Sequence, residues 1–123
     1  ATLAANKHVS RANHPSLPTY PQKELADRMF GKNGYCAMLS FIVPEDLEKI
    51  DQFMLALKFP KYAPTRGGLH TTLSHPVTSS HMGVPDETRR KMGITPGMIR
   101  VSVGIEDADD LATDFENALK VFD

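Results

Sequence analysis

Residues 98–107 read MIRVSVGIED, and this stretch alternates in kind. Ile99, Val101, Val103 and Ile105 fall on one face of an extended chain; Met98, Arg100, Ser102 and Gly104 fall on the other. The first face reads as core. The second offers a cation, a hydroxyl and open space. Such a strand needs a neighbour to bury its apolar side, so the fold turns on what the rest of the chain supplies.

Working outward, YCAMLSFIV at 35–43 is apolar on both faces and reads as an inner strand. Thr19 and Gln22 have capping-box spacing, and Leu25, Ala26, Met29 and Phe30 form a helical stripe that Gly31 ends. Pro44, Glu45 and Asp46 open a second helix with the stripe Leu47, Ile50, Phe53, Met54 and Leu57. Residues 58–84 read mostly as loop, with a short strand near Thr71–Leu73. A short helix is expected at Asp86–Lys91, stopped by Gly93. A last one is expected over Ala108–Phe122, with Asp107 as N-cap and Leu111, Phe115, Ala118, Leu119 and Phe122 inward. Residues 1–18 are expected as an extended N-terminal segment, because His14-Pro15 and Leu17-Pro18 hold the backbone open. Residues 19–123 then form one domain. The order predicts an α/β (α+β) fold: a small three- to four-stranded, mostly antiparallel sheet with helices packed on one face.

The 123-residue chain is 41% hydrophobic and 24% charged, enough apolar content for a core. Its formal charge of -1 gives no general affinity for nucleic acid or an anionic membrane. No apolar stretch approaches the ~18 residues of a membrane span, and the N-terminus lacks a signal-peptide pattern. The chain opens ATLAANKHV without an initiator methionine, as expected of a processed product or an excised piece. Cys36, the single cysteine, excludes an internal disulfide and is expected as a buried thiol within its strand.

His70, His75 and His81 match neither HExxH nor zinc-finger spacing, so they are expected as loop histidines with local hydrogen bonds. Arg66-Gly67-Gly68 reads as a tight turn whose N–H groups can meet an anion. Glu106, Asp107, Asp109 and Asp110 cluster at a helix start, which favours negative charge without catalysis. Arg100 is the residue with chemistry to explain. A partly enclosed arginine keeps its proton and needs an anion, and its fork matches a carboxylate. Two partners fit: an internal acid such as Glu106 or Asp109, or a small-molecule carboxylate. Ser102 beside it is either a helper or a small residue in the sheet.

Residues 93–119, GITPGMIRVSVGIEDADDLATDFENAL, resemble the C-terminal signature of the Cys/Met-metabolism pyridoxal-phosphate enzymes. This family includes cystathionine gamma-synthase, cystathionine gamma-lyase, methionine gamma-lyase and the acylhomoserine sulfhydrylases. Its pattern is GI, a short turn, then LIRLSVGIED or LVRLSVGIED. RGGLHTTLSHPVTSSH at 66–81 resembles the family's SLGG-x-ESL followed by HPA-x-MTH, and HPSLP at 14–18 resembles the stretch after its inter-domain helix. The resemblance covers nearly the whole chain and corresponds to the C-terminal third of a family subunit.

It implies the C-terminal domain of a fold-type I pyridoxal-phosphate (PLP) enzyme, with residues 1–18 arriving from the inter-domain region. By matching position, Arg100 binds the substrate α-carboxylate, Thr65 stands at the family serine near it, and Gly67 and Gly68 at its glycine pair. Arg66 adds a cation and Ser102 a hydroxyl. The departures are Thr65-Arg66 for Ser-Leu, Pro64 where cystathionine-processing members carry an acid, His70 for the glutamate, and Ser79-Ser80-His81 for MTH. They point to a divergent member acting on methionine or an activated homoserine. No lysine here matches the family's cofactor lysine, which lies in the preceding domain. The expectation is therefore no catalytic residue, no metal and no cofactor on this chain alone, with PLP in a full-length parent. Expected partners are the parent's N-terminal PLP-binding domain, further copies in a homo-oligomer, and a small amino-acid substrate, in the cytoplasm. A stand-alone module that binds carboxylates or associates with a full-length relative is the alternative. A domain cut from a larger fold is also expected to expose apolar surface and to self-associate.

Overall fold

The first half of the stretch at 98–107, Met98–Ser102, forms the central strand. A computed structural model describes residues 1–65 and 67–123. Its elements are α1 (Thr2–Ala5), β1 (Arg11–Asn13), α2 (Lys23–Phe30), β2 (Met38–Ile42), α3 (Leu47–Ala56), β3 (Lys61–Tyr62), β4 (Thr72–Ser74), α4 (Asp86–Lys91), β5 (Met98–Ser102) and α5 (Ala108–Leu119). Short 3-10 turns occupy Pro76–Thr78 and Lys120–Phe122. The strands lie in the order β1-β2-β5-β4-β3, antiparallel except for the parallel β3–β4 pair.

The sheet therefore has five strands, against the three to four expected. The two extra strands are its edges, Arg11-Ala12-Asn13 and Lys61-Tyr62. Both are too short to show an apolar alternation, and each carries a basic residue. Short charged edges discourage pairing with other chains.

Ile99 and Val101 of β5, Phe41 of β2 and Leu73 of β4 are buried on one sheet face. Over them pack Ile50 and Phe53 of α3 and Phe115, Ala118 and Leu119 of α5. Phe41 meets Phe53 and Phe115 edge-on, each with centroids 6.1 Å apart, the geometry that the ring quadrupoles favour. Asp46 accepts from the Lys49 N–H to cap α3, and Asp107 accepts from Asp109 and Asp110 to cap α5.

Several local expectations change. α2 starts at Lys23, not at a Thr19 cap, because Tyr20 precedes Pro21 and is held out of the helical region. Leu47 is exposed at the start of α3. Cys36 is exposed and lies before β2, since the ladder with β5 begins at Met38 opposite Ser102. Ile105 is 78% exposed, because β5 ends at Ser102 and the chain turns. Residues 1–18 contain α1 and the edge strand β1, and Leu3 and Ala12 pack against the core. No described helix is long and apolar enough to cross a membrane.

Candidate carboxylate site

Register assembles the other face of the sheet. Arg100 lies opposite Ser40 of β2 on one side and Ser74 of β4 on the other, and Ser40 lies opposite Asn13 of β1. One polar row thus crosses four strands: Asn13, Ser40, Arg100, Ser74. The neighbouring row holds Met38, Ser102 and Thr72.

Arg100 opens into a groove of about 340 Å³. Asn13, Ser40, Ser80 and His81 bring the other polar side chains, while Met38, Pro76, Ile94 and Met98 make the apolar wall. His75 fixes that wall. It is 2% exposed, and its Nε2 donates to the Pro96 carbonyl at 2.6 Å. Its Nδ1 lies 3.0 Å from the Thr78 hydroxyl. A carbonyl only accepts, so Nε2 carries the proton. The imidazole thereby ties the Pro76–Thr78 turn to the approach to β5. The expectation of locally bonded loop histidines holds for His75, and for His81 beside the Ser80 hydroxyl at 2.8 Å.

Neither acid expected as an internal partner pairs with Arg100. Among the described residues no carboxylate lies within ion-pair reach of it. Glu106 is engaged elsewhere. It accepts the Thr71 N–H at 2.6 Å and the Thr71 hydroxyl at 2.7 Å. Thr71 Oγ1 in turn accepts the Gly104 N–H at 2.8 Å. The Thr71 N–H is the main cause that holds the Glu106 carboxyl below its ordinary value, and partial burial opposes it. A Cβ on Gly104 would stand 2.5 Å from Leu69 O, so only glycine allows this crossing. Asp109 sits exposed in the first turn of α5.

This latch sets the chain between β3 and β4 beside β5. Thr65 is exposed, with Oγ1 2.8 Å from Thr72 Oγ1, and Thr72 pairs with Ser102. Ser102 is 3% exposed and lies outside the groove lining, as does Thr65. Thr65, Ser102 and Arg100 thus share one sheet face, with only Arg100 in the groove. Arg66 lies outside the described residues. Among the described residues no cluster of three or more His, Cys, Asp or Glu side chains could hold a metal.

Sequence reasoning missed Asn13, Ser40 and the Thr71–Glu106 latch. The alternation of MLSFI does place Ser40 with Met38 and Ile42, but only register sets it against Arg100. Asp114 was missed too. It is a buried acid on α5 that accepts the N–H groups of Lys58 and Phe59, and so ties the end of α3 to α5.

A lone guanidinium in a groove with donors around it suits an acceptor-only ligand. Pyridoxal chemistry would need a lysine, an acid for the ring nitrogen and donors for the phosphate. The groove lining holds no lysine and no acid. The residues of this groove fit a carboxylate and not the cofactor.

Comparison with known proteins gives the context. The chain matches the family model described as Cys/Met metabolism PLP-dependent enzyme over residues 1–120. It is 40% identical over 112 residues to cystathionine beta-lyase MetC of Bacillus subtilis (strain 168), covering 91% of this chain and 28% of that protein. It is 36% identical over 118 residues to cystathionine gamma-synthase 1, chloroplastic, of Arabidopsis thaliana, covering 96% of this chain and 21% of that protein. A crystal structure of cystathionine gamma synthase from Xanthomonas oryzae pv. oryzae, in complex with aminoacrylate and cysteine, superposes with a TM-score of 0.86 at 31% identity. That match covers 97% of this chain and 30% of the other. The chain spans less than a third of the length of these relatives.

Proposed function

We propose, from the fact that this chain belongs to the Cys/Met metabolism PLP-dependent enzyme family, that it is the C-terminal, carboxylate-binding domain of a PLP-dependent sulfur amino-acid enzyme. The parent activity is a carbon–sulfur lyase or a γ-replacement transferase of transsulfuration and methionine metabolism. Residues 19–123 form the substrate-binding domain, and residues 1–18 lead into it from the inter-domain region. Arg100 holds the substrate's α-carboxylate, and Thr65, Arg66 and Ser102 join it as substrate-binding residues by their match in sequence to the family pattern. The observation that supports this reading is the Arg100 guanidinium, set in a groove among hydroxyls and an amide, with no acid beside it in the described residues.

Arg100 fixes the substrate at one end. Two parallel charge-assisted bonds orient its backbone, and such positioning lowers the barrier of whatever step follows. The bond-breaking groups belong to the N-terminal PLP-binding domain of the parent, so this chain alone is inactive. A cytoplasmic setting and a homo-oligomer complete the proposal. Leu25, Met29 and Phe30 on α2 are exposed and offer an apolar surface for association.

Two experiments test it. In the cofactor-loaded parent, Arg100→Ala should raise KM for the amino-acid substrate by about 100-fold, the loss of a bidentate charged contact. An unchanged KM would overturn the carboxylate role. The isolated chain, mixed with PLP and reduced with borohydride, should show no stoichiometric lysine adduct by intact mass. A single stoichiometric adduct would assign it a cofactor site of its own.

A further inference from the structure

We infer that Ser40, set by Asn13, is a second donor to the carboxylate held at Arg100. This deepens the carboxylate reading and rests on it.

The protons on this face decide which groups can donate. Ser40 lies directly opposite Arg100, a pairing that holds Cβ atoms about 5 Å apart. Asn13 Nδ2 donates to Ser40 Oγ at 3.2 Å. A hydroxyl has one proton and two lone pairs. Asn13 fills a lone pair, so the proton of Ser40 is left to donate, and among the described residues no acceptor takes it. Arg100 has five N–H donors and no acceptor capacity. Both residues line the same groove. Two donors on adjacent strands, facing one space, fit one acceptor-only group between them. A carboxylate offers about four lone-pair sites on its two oxygens, so the Arg100 fork can take both oxygens and still leave a lone pair for the Ser40 proton. Ser74, on the opposite side of Arg100, is 3% exposed and does not line the groove, so register alone does not make a donor. Asn13 does not itself need to touch the ligand. It is a positioning residue whose amide forces the direction of the Ser40 proton.

The 123-residue chain, labelled with ¹⁵N, is titrated with sodium propionate against sodium chloride at matched ionic strength. Amide shifts should saturate and centre on residues 38–42 and 98–102. The isosteric pair Ser40→Thr and Ser40→Val differs in the hydroxyl alone, so a folding defect common to both cancels. The valine variant should bind about 10-fold more weakly than the threonine variant, the loss of one hydrogen bond to a charged group. Asn13→Asp should weaken binding further, because its carboxylate accepts the Ser40 proton and repels the anion. Equal affinity of the two Ser40 variants, with binding lost in Arg100→Met, would overturn the role of Ser40 and leave the carboxylate reading standing. No saturable shift in the wild type, or one that Arg100→Met leaves intact, would overturn the carboxylate reading, and this inference with it.

Discussion

β5 meets two different surroundings within five residues. Ile99 and Val101 have no exposure and lie beneath α3 and α5, while Arg100 between them opens into a groove. The core face is self-complementary, since Ile99 and Val101 lie in one cluster with Phe41, Leu73 and the inward residues of α3 and α5. The polar face is incomplete, since its strongest charge finds no anion among the described residues. One side of the sheet holds the fold together, and the other carries the site proposed for a carboxylate.

The comparison breaks first on the core face. Phe41→Ala removes a ring that meets both Phe53 and Phe115. It should cost about 3–5 kcal/mol in urea unfolding, the range for a buried aromatic truncation. A loss below about 1 kcal/mol would show that the two helices do not depend on this face.

The Thr71 latch is intermediate, polar yet buried. Thr71→Val keeps the shape but takes away the acceptor of the Gly104 N–H and the donor to Glu106. The expected cost is about 1–2 kcal/mol, with loss of hydrogen-exchange protection at Gly104. Unchanged protection would mean that the turn after β5 is held by other bonds.

Glu106 gives the latch a pH signature. Its folded carboxyl lies below its ordinary value of 4.5. A depressed carboxyl stabilises the fold fully above its unfolded value, and that contribution is lost as pH falls through the folded one. The Tm gap between wild type and Glu106→Gln should therefore be widest above pH 4.5 and close on acidification. A gap that is constant with pH would remove the carboxylate from the latch.

These contrasts also explain what could be read in advance. Ile99 and Val101 were legible because burial imposes a two-residue period on a strand. Asp107 was legible because capping is local. The edge strands were not, because two or three residues carry no period. Cys36 was misplaced because apolar character does not say where a ladder stops. Asn13, Ser40 and Thr71 were hidden for another reason. Each acts through a partner far away in the chain, and register, unlike period, is not written in any one segment. Arg100 stood out from its own strand as a mismatch, and the mismatch marks the face that the core does not use.

The smallest expected change in stability sharpens the comparison most. Arg100→Met puts a flexible apolar chain among Met38, Ile94 and Met98, which already line the groove. A guanidinium without an anion gives the fold no ion pair, while its partial removal from water costs free energy. Exchange for methionine should leave stability within about 0.5 kcal/mol of wild type or raise it. The same change should abolish propionate binding. A core-face substitution links the two losses, because an unfolded groove binds nothing. Arg100→Met separates them, and a folded chain without affinity is what a residue kept for its ligand predicts. A large loss of stability would instead mean that the cation is needed by the fold itself, and the distinction between the two faces of β5 would not stand.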